Sequence, residues 1–313
     1  MKTKLTELLD IKYPLLQGAM AWVSEANLAS AVSNAGGAGI IATGGRSAEW
    51  TRDEIRRAKT LTDKPFGVNV VLMAPNRDEI VSVICEEKVA FVTLGAGNPL
   101  VYFDPLHAAG IKVIPVVPSV KLAKRVEAAG ADAIVIEGME AGGHIGTLST
   151  MALLTNVIPE VSLPVVAAGG IVDGRGMAAA LLMGADGVQM GSRFMIAAEC
   201  GLHPKATARI IQAVDTDSVA TGFSRGHAVR GLKNEFTAKF MALETSGAPQ
   251  KELDSLATGT SRLAMVEGDV ENGLVQVGQS LTPLREVKPV RDIVETVMAE
   301  AVQVLSRAPE LLR

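Results

Sequence analysis

Residues 120–137 read VKLAKRVEAAGADAIVIE, and this stretch decides the fold. An amphipathic run over 120–129 stops at Gly130, and an apolar run over 133–137 follows at once. Glycine just past a helix supplies the left-handed cap that other residues adopt only at a cost. The phrase returns at Met183-Gly184-Ala185-Asp186, and shorter forms stand at Ala35-Gly36-Gly37 and Ala109-Gly110. Outward from it, apolar runs lie at 14–17, 39–41, 66–70, 91–94, 112–117, 133–137, 165–168 and 187–190. Helix-like segments separate them at 25–35, 48–60, 77–87, 100–109, 120–129, 151–158 and 174–183. Runs rich in Val and Ile without clean alternation belong to parallel sheets buried on both faces. Alternation with helices implies βαβ crossovers. Eight such units predict an α/β fold, a closed (β/α)8 TIM barrel. An open doubly wound sheet is the second choice.

The chain has 313 residues, more than the roughly 250 of a plain barrel. After Met195 the rhythm breaks. The expected organisation is a barrel over 1–199 and 286–313, with an insertion over 200–285 capping its mouth. Within the insertion, 234–243 reads as a helix and 244–252 as a polar segment. Residues 289–306 form an amphipathic helix that completes the outer ring. Hydrophobic residues make up 48% and charged residues 20%, which suits a large core. A net charge of −4 gives no footprint for nucleic acid or anionic lipid. Cys85 and Cys200 lie far apart without metal-ligand spacing, so reduced structural thiols and no metal site are expected. No window is apolar enough to span a membrane, and Glu7 and Asp10 argue against a secretory leader, so the expected location is the cytoplasm.

A barrel of this kind carries its chemistry at the carboxyl ends of the strands, with phosphate held after strands seven and eight. The segments there are Ala167-Ala168-Gly169-Gly170-Ile171 and Gln189-Met190-Gly191-Ser192-Arg193-Phe194. Glycine lets backbone N–H groups approach phosphate oxygens, and Ser192 adds a hydroxyl. Either segment alone is an ordinary turn; both at these two strand ends make a phosphate site. The sixth strand ends in EGMEAGGHIG (137–146), read as a flexible glycine loop around His144. A lone histidine is more often structural than catalytic, but imidazole at the mouth suits proton transfer near neutral pH. Glu137 is open to three readings: a partner for a cofactor hydroxyl, an orienting group, or a solvated acid. Met20, in the loop Gly18-Ala19-Met20, lies along a flat ring or fills core, and Asn69 offers a donor and an acceptor. His227 is of interest because the insertion overhangs the mouth.

Together these segments resemble the FMN-dependent enoyl-acyl carrier protein reductase II family, which is close to the nitronate monooxygenases. The resemblance covers nearly the whole chain. It is carried by QGAMAWV (17–23), SNAGGAG (33–39), KPFGVN (64–69), EGMEAGGHIG (137–146), AAGGI (167–171), GSRF (191–194) and GHAVR (226–230). AAGGI and the EAGGH loop are shared with nitronate monooxygenases, whereas QGAMAWV and GHAVR look more like the reductase. Ala19 and Ser192 stand where the family pattern has Gly and Thr. The resemblance implies FMN as cofactor and NADH or NADPH as reductant. It implies that trans-2-enoyl-acyl carrier protein is reduced to the acyl form in fatty-acid elongation. The alternative is oxidation of alkyl nitronates with oxygen. It maps Gly18, Ala19, Met20, Asn69, Glu137, Gly142, Gly143, Ala168, Gly169, Gly170, Gly191 and Ser192 onto the flavin site and His144 onto the catalytic position. It also leaves room for a monovalent cation and a homodimer. Acyl carrier protein is acidic, so Arg225, Arg230 and Lys233 are candidate steering charges.

Overall fold

The computed structural model describes residues 1–312, with side chains for all of them except Arg225, Leu311 and Leu312. Eleven strands occur in chain order: β1 (Leu15–Gln17), β2 (Ile40–Ala42), β3 (Gly67–Val71), β4 (Phe91–Gly95), β5 (Lys112–Val117), β6 (Ile134–Glu137), β7 (Gly143–His144), β8 (Val165–Ala168), β9 (Gly187–Met190), β10 (Ser218–Thr221) and β11 (Val229–Leu232). Eight of them form one parallel sheet in the order β1-β9-β8-β6-β5-β4-β3-β2. A parallel bridge between Leu16 and Ala38, just ahead of β2, closes the circle. Each expected barrel strand is present within two residues, and each expected helical segment lies between its strands. The capping glycines Gly36, Gly110, Gly130 and Gly184 all have φ between +79° and +102°.

The barrel strands are mostly apolar because both of their faces are buried. Leu16, Ile40, Phe91, Ile114, Val135 and Val166 point inward and pack on Leu5 and Leu9 of helix Lys4–Leu9, which plugs the barrel floor. Leu15, Ile41, Val68, Val92, Ile134 and Val188 belong to the outer layer against the helices. Burying one such side chain contributes about 1.5–3 kcal/mol.

The C-terminal helix, Val290–Arg307, packs on helix Gly174–Leu182 and completes the ring. The two approach so closely at Gly174 that a Cβ there would lie 2.4 Å from Ala301 N. Residues between the last barrel strand and this helix build helices Pro204–Gln212, Glu235–Thr245, Gln250–Ala257 and Thr260–Met265. Asn234 caps the second in a reciprocal capping box. The segment read as merely polar, 244–252, in fact ends one helix and starts the next. Leu202, Ile210, Val275, Val277 and Leu281 share an apolar cluster with Val23, Met195 and Ile196 at the barrel top. A second sheet, β10-β11-β7, is antiparallel and joins this region to the loop after β6. No helix among the described residues is long and apolar enough to cross a membrane.

Candidate active site

Strand parity carries the inward face from core to site. In β3 the inward series runs Gly67 then Asn69, in β4 Phe91 then Thr93, in β6 Val135 then Glu137, and in β9 Gly187 then Gln189. Alternate residues share a face, so the last inward residue of each strand meets the mouth. There a cavity of about 740 Å³ opens. Every residue assigned to the site from sequence lines it: Gly18, Ala19 and Met20 after β1; Asn69 in β3; Glu137 ending β6; Gly142, Gly143 and His144; Ala168, Gly169 and Gly170; and Gly191 with Ser192.

The two phosphate-type turns are held from outside. Gly169 and Gly170 have φ of +99° and +73°, where an L side chain is strained. Their carbonyls accept from Thr150 Oγ1 at 2.9 Å and Ser280 Oγ at 2.6 Å respectively. Gly191 starts the short helix Ser192–Met195; its carbonyl accepts from Phe194 N and Met195 N, which leaves the N–H groups of Ser192 and Arg193 without a partner in the helix. Ser192 was expected as a donor; its Oγ accepts from Gly278 N at 2.9 Å and keeps its proton to give. Gly278 belongs to a wall that sequence reasoning missed, residues 276–280. Gln276, Gly278, Gln279 and Ser280 all line the cavity, and Gln279 N donates to Glu140 O at 2.9 Å. Thr93 and Gln189 were missed too. Strand parity with Phe91 and Gly187 is the signal that finds them.

Gly142 is where loop and wall touch: a Cβ there would lie 2.6 Å from Val277 C and 2.9 Å from Gly278 N. Backbone cannot yield as a side chain can. Gly142→Ala is expected to part the two segments, lower Tm by several degrees and weaken cofactor binding at least tenfold, as calorimetry and flavin titration would read. Unchanged flavin affinity would mean that the wall does not shape the site.

His144 does not sit in a flexible loop, as its glycines led us to expect. Gly143–His144 is strand β7, with Gly143 opposite Arg230 and His144 opposite Val229, and Ile145 N donates to Ala228 O at 3.0 Å. Long-range pairing has overridden local glycine content. The His144 side chain is exposed at the mouth, and His227 lines the same cavity. Arg230 is not a steering charge. It is 4% exposed, its Nε donates to Met139 O at 2.9 Å and its Nη1 to Ser218 Oγ at 3.2 Å. Lys233 is exposed as expected, and the Arg225 side chain lies outside the described residues.

Asn69 is oriented by Thr93, whose Oγ1 accepts from Nδ2 at 3.0 Å, leaving Oδ1 as an acceptor. Gln17 is fully buried and fixes the Gly18–Met20 loop, donating to Ser24 Oγ at 2.9 Å and accepting from Ile40 N at 3.1 Å. Trp22 follows in a left-handed conformation, φ +74°. Arg46 stacks on both its ring and that of Trp50, at 4.8 and 4.4 Å. Cys200 is no nucleophile, because burial pushes its thiol up to about 12. Among the remaining histidines, His107 pairs with Asp132 at 2.9 Å, and His203 accepts from Lys205 N.

Among the described residues, none hydrogen-bonds the Glu137 carboxylate. It touches the cavity, yet the protein around it desolvates the charge and pushes its pKa up to about 7 from 4.5. Below 4.5 the group is neutral folded and unfolded alike. Between 4.5 and about 7 the unfolded chain ionises while the folded one stays protonated, so stability falls across that window and levels off above it, a loss on the order of 3 kcal/mol. Glu137→Gln in cofactor-stripped protein is therefore expected to raise Tm near pH 8 and leave it unchanged near pH 4. Parallel melting curves for the two proteins across that range would contradict an unpaired carboxyl.

The strand ends thus gather two glycine turns, an unpaired acid and an exposed histidine around one cavity, at the face where a (β/α)8-barrel enzyme carries its chemistry. The nitronate monooxygenase family model matches residues 2–82 and 76–300, and the chain belongs to that family. A dehydrogenase of Rhodococcus jostii, named for (3aS,4S,5R,7aS)-5-hydroxy-7a-methyl-1-oxo-octahydro-1H-indene-4-carboxyl-CoA, is 33% identical over 97% of this chain and 96% of its own. A probable nitronate monooxygenase of Staphylococcus saprophyticus is 30% identical over 98% and 99%. Among solved structures, FabK from Thermotoga maritima superposes with a TM-score of 0.97 at 45% identity, covering 99% of both chains. Nitroalkane oxidase from Streptomyces ansochromogenes gives 0.85 at 29%, over 97% and 99%.

Proposed function

We propose that the protein is a cytoplasmic, FMN-dependent enoyl-acyl carrier protein reductase that uses NADH or NADPH. The observation that carries this reading is the 45% identity with FabK over 99% of the chain, against 30% with the nitronate monooxygenase of Staphylococcus saprophyticus. The motifs QGAMAWV and GHAVR, which favour the reductase, both reach the cavity, through Gly18–Ala21 and Gly226–Ala228.

The residues fit FMN. A Cβ on Gly191 would meet nothing nearer than Met20 at 3.9 Å, so this glycine opens onto free space beside a helix start, where a terminal phosphate is favoured. Gly169, Gly170 and Ser192 would complete that hold. Asn69 Oδ1 is free to accept from a ring N–H, Met20 to lie along the ring, and Glu137 to take a ribityl hydroxyl. When bound, FMN would accept hydride from the nicotinamide and deliver it to the β-carbon of the enoyl thioester. The protein must then manage charge. Negative charge gathers on the thioester oxygen as the β-carbon gains its hydride, and a proton must reach the α-carbon. His144, at the mouth and fixed by β7, is the group we assign to both needs. Residues 276–280 and 226–228 wall the cavity around that transfer.

The test is anaerobic. Purified protein should release FMN on denaturation, turn colourless with NAD(P)H and regain its absorbance on mixing with crotonyl thioester. Failure to reoxidise with the thioester, together with oxygen uptake driven by propyl-2-nitronate, would assign the nitronate reaction instead.

A further inference from the structure

A second cavity, of about 500 Å³, opens on the outside of the barrel beside the C-terminal helix. Five cationic side chains line it, Arg175, Arg193, Arg285, Lys288 and Arg307, against three carboxylates, Asp173, Glu286 and Glu300. The carboxylates are already engaged. Asp173 accepts Nε and Nη2 of Arg175 at 2.9 and 2.6 Å, as well as Gly176 N at 3.0 Å. Glu286 pairs with Lys288 at 2.7 Å, and Glu300 accepts from Gly174 N at 2.9 Å.

Three guanidinium groups remain without a carboxylate among the described residues. Arg193 gives Nε to Val172 O at 2.6 Å and Nη2 to Pro283 O at 3.2 Å, which leaves Nη1. Arg285 gives Nη1 to the carbonyls of Ile211 and Ala213, both at 2.9 Å, which leaves Nε and Nη2. Arg307, on the last turn of the helix, has no partner among the described residues. Burial disfavours the charge on Arg193, against the opposing pull of Asp173, Glu300 and Glu286, and a further anion would favour that charge. The rest of the lining mixes polar Thr296 and Gln303 with Pro283, Val304 and the barely exposed edges of Val172, Ile293 and Val297. Guanidinium forks match the oxygens of carboxylates and phosphates, and the apolar side matches a hydrocarbon segment.

We propose that this cavity binds an amphipathic oxyanion, a carboxylate or phosphate ester carrying a short alkyl chain, independently of the reaction at the barrel mouth. Neither part of such a molecule suffices alone: the cations hold the head and the helix face holds the tail.

Calorimetric titration of the holoprotein with octanoate, octyl phosphate, inorganic phosphate and octanol tests it. One molecule of octanoate or octyl phosphate should bind per chain, at least tenfold tighter than phosphate or octanol. Whichever of the two binds better identifies the head group. Affinity should fall as salt is raised, because the charges are accessible. Thr296→Trp with Arg307→Glu fills the groove and reverses one charge at exposed positions remote from the mouth. Binding should weaken at least tenfold while NAD(P)H oxidation is unchanged. Undiminished binding in the double variant, binding displaced by crotonyl thioester, or no saturation in the millimolar range would overturn the proposal.

Discussion

Gly191→Val is expected to yield a folded, colourless protein. The backbone at Gly191, φ −103°, accepts any residue, and a Cβ there meets no protein atom within 3.8 Å, since Met20 stands at 3.9 Å. The barrel therefore loses nothing, and Tm of the cofactor-stripped variant should lie within a degree or two of the wild type. The valine methyls project into the space assigned to the phosphate, next to Ser192 and the first turn of its helix. Losing a charge-assisted phosphate contact and adding a clash removes several kcal/mol of binding, or a factor of at least about 10³ in affinity. Absorbance at the flavin band after gel filtration reads the result directly. Full FMN occupancy in this variant would refute the placement of the phosphate.

His144→Ala should separate two half-reactions. Hydride transfer from NAD(P)H to the flavin needs no protein acid, so flavin reduction should stay within a few-fold of wild type, with FMN still bound. Reoxidation by an enoyl thioester should slow by roughly 10²–10⁴-fold, the usual share of general acid–base catalysis. That is about 3–5 kcal/mol of transition-state stabilisation. The pairing of β7 with β11 runs through backbone, so removing the imidazole leaves the strand in place. If flavin affinity and both half-reactions fall together, His144 serves the loop instead of the proton. Near-normal enoyl reduction would move the assignment to His227, which lines the same cavity.

The barrel was legible because its signals are local and repeated. Glycine after a helix, followed by Val- and Ile-rich residues, recurs wherever a crossover ends, and each such glycine does take the left-handed conformation. Asn69 and Glu137 were picked out by their places near strand ends, and inward parity, which would also have found Thr93 and Gln189, explains why both line the cavity. What escaped depends on contacts between distant parts of the chain. Gly143–His144 reads as loop by composition and becomes strand only because residues 229–230 pair with it. Gln276–Ser280 carries no motif of its own; its value lies in reaching Glu140, Ser192 and Gly170. Arg230 looked like a surface charge, and only the strand Val229–Leu232 explains its burial, because it turns the guanidinium towards the Met139 carbonyl.

The sheet β10-β11-β7 has a bearing on how such a protein can change over generations. Barrels are commonly remodelled loop by loop, each loop varying alone. Here the strand bearing His144 hangs from β11, so the segment that carries β11 and the loop that carries His144 are inherited as one part. A chimera that imports residues 200–285 from a relative and keeps the host's 141–146 would re-aim the imidazole along with the new cap. The smallest exchangeable module therefore joins both segments, and acceptor preference in such grafts should travel with the pair and with neither segment alone.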